Sequence, residues 1–125
     1  MDFEIIEDSQ AVEEVQEEKL ELVEGQFMHN GVIYELRYNV QKIKTIELVT
    51  KKSISAEVSH NQGIVSLQTL EALFSFALVE AKGLAVVKQS KAIDIFYTLL
   101  QDHGLLDVSG LVLDKLTKDV GFLFR

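Results

Sequence analysis

The dipeptide Asn30-Gly31, set between two short runs rich in apolar residues, constrains this chain more than any other feature. A two-residue hairpin turn of the mirror-image type needs positive φ at both central positions, and Asn followed by Gly meets that need with little strain. The pair therefore predicts a β-hairpin with strands over residues 26–29 and 32–38. In the second strand Val32, Tyr34, Leu36 and Tyr38 fall on one side and Ile33, Glu35 and Arg37 on the other, so one face is apolar and one mostly charged. The apolar face must be covered.

Helices follow to cover it. Asn39 is placed as the N-cap of a helix that ends near Lys51, with Val40, Ile43, Ile46 and Thr50 on one side and Lys42 and Lys44 off that stripe. The stretch KKSISAEVSHNQGIVS, residues 51–66, reads as a loop from its Ser, Asn, Gln and Gly content, with a short extended piece over residues 54–58. Ser66 then caps the strongest helical pattern, SLQTLEALFSFALVEAKG, and Gly83 stands where a helix-ending residue belongs. Leu67, Leu70, Leu73, Phe74, Ala77, Leu78 and Ala81 make one broad apolar stripe on it, and Ala72, Phe76 and Val79 lie nearly opposite. Two apolar faces mean a helix buried between layers, or one with a core face and a partner face. Another helix runs from Ser90 to Gly104, with Ile93, Phe96, Tyr97 and Leu100 on its main face and Ala92, Ile95 and Leu99 widening the arc. A weaker one covers residues 109–119 and uses Val112, Leu113, Leu116 and Val120. In the final GFLFR, Phe122, Leu123 and Phe124 occupy consecutive positions, which no helix face accommodates; this segment packs as core or projects as an apolar hook.

Charge divides the chain. Residues 1–25 carry ten acidic residues against Lys19 alone, whereas the rest carries ten acidic and eleven basic, so the net charge of -8 belongs to an N-terminal arm. With no clean period, that arm reads as solvated and flexible, or as a shield over a sticky or basic surface that a partner displaces. Residues 26–125 are of a size for a single domain, and 47% apolar residues suit a folded one. Apolar runs reach only about four residues, as in LAVV at 84–87, and the acidic start does not resemble a signal peptide, so no membrane association and a cytoplasmic location are expected. Nucleic-acid binding by the body is not expected either, because its one dense basic patch is Lys42, Lys44, Lys51 and Lys52.

No catalytic pattern appears. The chain has no cysteine, which removes disulfides and thiolate metal sites, and His29, His60 and His103 lack ligand spacing among themselves or with carboxylates. Ser53, Ser55 and Ser59 lack a nucleophile elbow, and the seven glycines form no phosphate-cradling loop. The paired carboxylates Glu13-Glu14 and Glu17-Glu18 sit in the arm, where nothing holds them at a working distance. We therefore expect no enzyme activity, no cofactor and no metal.

The expectation is an α+β fold, with a small N-terminal β-hairpin packed on a bundle of about four helices and preceded by the acidic arm. The order of elements, with Asn30, Gly31, Tyr34 and Leu36 in the hairpin, Arg37-Tyr38-Asn39 leading into VQKIKTIELV, then SLQTLEALFSFALVEAKG and a helix ending YTLLQDHG, resembles the tail assembly chaperones of long-tailed bacteriophages. The likeness spans about residues 26–121. It implies a protein that coats the tape-measure protein, keeps its hydrophobic helices soluble, recruits tail-tube subunits and is absent from the finished particle. Phe76, Val79, Phe122 and Phe124 are then the expected apolar contacts to client or neighbour, and self-association along the client is compatible with two apolar faces. The alternative is an acidic regulatory or inhibitory protein whose arm imitates nucleic acid in a basic groove.

Overall fold

A computed structural model of the chain describes Leu22, residues 25–60 and residues 65–125. The arm expected over residues 1–25 falls, apart from Leu22 and Gly25, outside the described residues. Asn30 and Gly31 both take positive φ, 50° and 79°, and join β1 (Gln26–His29) to β2 (Val32–Leu36) in the register set by that turn. Tyr34 and Leu36 point into the core and are almost fully buried, as the alternation requires.

Helix α1 (Val40–Thr50) starts where Asn39 accepts a 2.7 Å hydrogen bond from the Lys42 backbone N–H, and it buries Ile43 and Ile46. Val40, expected on that stripe, is 44% exposed. The segment expected to be loop or extended chain is instead helix α2 (Ile54–His60). Ser53 starts it by accepting from the Ala56 N–H at 3.2 Å through its hydroxyl and from the Glu57 N–H at 3.0 Å through its carbonyl. Fully buried Ile54 then pins α2 to the core. Serine content alone misleads here, because one Ser serves as a helix start and the others face outward or half outward on the helix.

Helix α3 (Leu67–Ala77) begins at Ser66 as expected, with Thr69 donating to the Ser66 hydroxyl at 3.1 Å. It stops earlier than expected, and Gly83 is not its end. Residues 78–80 leave the helix as β3 (Leu78–Glu80), which pairs antiparallel with β2. Leu78 and Val79 fit either period, and the open edge of β2 decides between them. The hairpin is therefore two strands of a three-stranded sheet in the order β1-β2-β3. Beyond β3 the chain turns over residues 81–84 and returns, so that Val86 bridges to Val79 and covers the outer edge of β3.

Helix α4 (Gln89–His103) begins one residue before the expected Ser90 cap and is rotated from the expected face. Ala92, Ile95, Phe96 and Leu99 are its buried residues, while Tyr97 is 40% exposed and donates its hydroxyl hydrogen to Glu71. That bond, then the small desolvation and the Glu71 charge, raise the Tyr97 phenol above its ordinary pKa. Gly104 links α4 directly to α5 (Leu105–Val120), which starts four residues earlier than expected and buries Val108, Val112, Leu116 and Val120. The GFLFR segment forms a 3₁₀ turn over Gly121–Phe124.

The fold is α+β, with the sheet and helices sharing one core around α3, which touches α1, α4, α5 and β2. A run of rings carries that core from sheet to bundle: Phe27 to Tyr34 at 5.7 Å, Phe27 to Phe74 at 5.8 Å and Phe74 to Phe96 at 5.4 Å between centroids.

Candidate interaction surface

Helix α1 is fixed at its base by groups far apart in sequence. Just before its cap, the Tyr38 backbone N–H donates to Asp119 Oδ2 at 3.0 Å, and the buried Tyr38 hydroxyl donates to the Leu73 carbonyl at 2.6 Å. Burial, then the Asp119 charge, push the Tyr38 phenol well above its ordinary value, so it stays a neutral donor. Asp119 is held in turn by Lys115 Nζ at 3.2 Å, one turn back on α5. Lys115 also lends positive charge to Glu35 on β2. Burial alone would raise the Glu35 carboxyl, but hydrogen bonds from Gln26 and Arg37, with the charges of Arg37 and Lys115, more than offset it and hold the carboxyl below the ordinary range. This alternating chain of charges ties the sheet, the start of α1 and the end of α5 together. It explains how Glu35, on the mostly charged face of β2, can be buried.

With its core side fixed, α1 presents its other side to solvent. Leu48 is 73% exposed and Val49 58%, large values for aliphatic residues inside a helix. A hollow lies on each flank. One, of about 360 Å³, is lined by Gln41, Lys42 and Thr45 of α1 together with Phe76 and Val86. The other, of about 200 Å³, is lined by Val40, Lys44 and Glu47 together with Leu123 and Phe124. Val86 and Phe122 are themselves exposed, so aliphatic and aromatic surface lies on both sides of the ridge.

The four residues expected to meet a partner are therefore placed as follows. Phe76 is half-buried on α3 and lines the first hollow; Phe124 is half-buried and lines the second; Phe122, in the same 3₁₀ turn, is 53% exposed. Val79 does not share a helical face with Phe76, since it is a buried strand residue bridged to Val86. Leu48 and Val49 were not singled out by their spacing, although an aliphatic residue off the Ile43–Ile46 stripe is a signal that the sequence carries.

A third hollow, of about 300 Å³ and largely apolar, runs between β1 and the α4–α5 corner, with Leu22, Phe27, Met28, Leu99, Val108 and Leu111 on its walls. His103 and Asp107 stand at its rim, next to the exposed Leu105 and Leu106 of the corner. His29 leans on the Tyr34 ring at 6.4 Å. Among the described residues no three His, Asp or Glu side chains converge as metal ligands, and no helix is long and apolar enough to cross a membrane.

Compared with known protein families, with characterised proteins and with solved structures, the chain matches none.

Proposed function

We propose that this protein is a non-enzymatic chaperone of phage tail assembly, which holds apolar helices of the tape-measure protein along α1 and helps bring tail-tube subunits to it in the host cytoplasm. The observation that carries the reading is the α1 ridge, with Leu48 and Val49 in water between two hollows that contain Phe76 and Phe124. An aliphatic ridge between two hollows that each hold an aromatic ring among polar residues suits a client helix that lies beside it and sets residues at i, i+3 and i+7 against it. The eleven residues of α1 make about three turns, or roughly 16 Å, so one copy meets only a short length of a long client. Copies added side by side along the client would cover the rest, which makes self-association part of the role. Phe122 supplies an exposed ring next to the second hollow for such a neighbour.

Capture of the full chain from its source cells, with bound proteins identified by mass spectrometry in low and in high salt, tests the reading. A long helical tail protein or a tail-tube subunit retained in high salt is the expected result, because apolar contact is not screened. Recovery only of proteins with basic grooves, and only in low salt, overturns it in favour of an acidic arm that imitates nucleic acid.

A further inference from the structure

We infer that the segment taken by the α1 ridge is an acidic amphipathic helix, one whose contact face alternates aliphatic residues with Asp or Glu about one turn apart. The inference rests on the chaperone reading and adds the chemistry of the client segment. On the exposed side of α1, Val40, Lys44 and Leu48 follow one another at helical spacings of four residues, and Lys51 stands just past the last turn as its left-handed C-cap, so aliphatic and basic groups alternate along this side. Beside it Lys42, Thr45 and Val49, one basic, one polar and one aliphatic residue, follow at spacings of three and four. Lys42, Lys44 and Lys51 have no ion-pair partner among the described residues, whereas neighbouring Lys52 is paired with Glu57 at 3.2 Å. Glu47, the one acid on α1, is occupied by the Ile54 backbone N–H at 2.8 Å.

The placement of the lysines runs against what the helix itself prefers. Lys51 stands at the C-terminal end of α1, where a cation is favoured by the helix dipole, but Lys42 lies in the first turn and Lys44 just beyond it, and that turn holds no acidic residue. On a helix whose first turn holds no acid, a Lys42 without an ion-pair partner at the disfavoured end and an exposed Lys44 next to it are accounted for by a partner of opposite charge.

The test uses the full chain and two designed helical peptides of about four turns, one alternating Leu and Glu on its face and one with Lys in place of each Glu, each followed by fluorescence anisotropy. Three exposed charge pairs, each giving about a twofold to threefold preference, multiply to roughly tenfold tighter binding of the Glu peptide in low salt. The gap should close in high salt and shrink in the variant carrying Lys42→Gln and Lys44→Gln, whereas Leu48→Gln should weaken both peptides. Equal binding of the two peptides, tighter binding of the Lys peptide, or binding of neither overturns the inference; the last is also the result if the chain's own acidic N-terminal stretch holds the site. Equal binding that Leu48→Gln still weakens removes the charge preference and leaves the chaperone reading in place. That reading fails separately, if capture from source cells returns no helical tail protein or tube subunit.

Discussion

Ile46 and Leu48 stand two residues apart on α1, and their replacement by alanine should cost very different amounts of stability. Ile46 is fully buried against the core, so Ile46→Ala removes buried carbons and leaves a cavity, at about 2–5 kcal/mol. Leu48 is 73% exposed, so only about a quarter of it leaves water on folding. A quarter of the ~1.5–3 kcal/mol for burying a whole leucine is ~0.4–0.8 kcal/mol, and the higher helix propensity of alanine returns part of that. For a domain of this size each kcal/mol moves the melting midpoint by about 4 °C. Thermal melts followed by far-UV circular dichroism should therefore show Ile46→Ala lowered by roughly 8–20 °C and Leu48→Ala by less than about 3 °C. A comparable loss in both variants would refute the reasoning, because it would mean that the outer side of α1 is covered in the free protein and is no open ridge.

The charge chain at the base of α1 gives a pH signature. Glu35 has its carboxyl lowered in the fold, so it contributes stability above the ordinary carboxylate pKa and loses it as pH falls through the folded value. Wild type should exceed Glu35→Gln in denaturant midpoint near neutral pH, with the difference vanishing in acid. Gly25 has φ +86°, and a Cβ there would lie 2.7 Å from Lys115 Cδ, so Gly25→Ala should cost roughly 1–3 kcal/mol in equilibrium unfolding. Phe122→Asp should leave the melting midpoint within a few degrees of wild type, whereas Phe76→Asp, at a half-buried position packed on the core, should lower it clearly. Unfolding by both would make the two aromatics core residues and remove them from any binding surface.

Local signals in this sequence were legible wherever one residue fixes the backbone by itself. Asn30-Gly31 set the hairpin and its register, Asn39 the start of α1, and Ser66 the start of α3. What was not legible depends on a distant edge or surface. Leu78-Val79-Glu80 continues the α3 pattern acceptably and becomes strand only because β2 offers an edge some forty residues away in sequence. Helix α4 carries apolar residues around much of its circumference, so spacing could not say that Phe96 and Leu99 would face in while Tyr97 turned to Glu71. The same limit hid the candidate site. Phe76 and Val79 looked like one face of one helix, and the break into β3 separates them; Leu48 gains meaning only when the packing of Ile43 and Ile46 fixes which side of α1 faces outward. The basic patch Lys42, Lys44, Lys51 and Lys52 is legible in the sequence; the fold pairs Lys52 with Glu57 and leaves the other three beside Leu48 and Val49.

The central claim is that α1 keeps an apolar helical client in solution. The most direct test is the soluble fraction of the long helical protein recovered with the full chain, co-expressed with wild type or with the variant carrying Leu48→Gln and Val49→Gln. Gln keeps the helix propensity of these exposed positions, so the variant should itself stay folded and soluble. The account predicts a soluble client with wild type and an insoluble one with the variant. A client equally soluble with both, or insoluble with both, would contradict it.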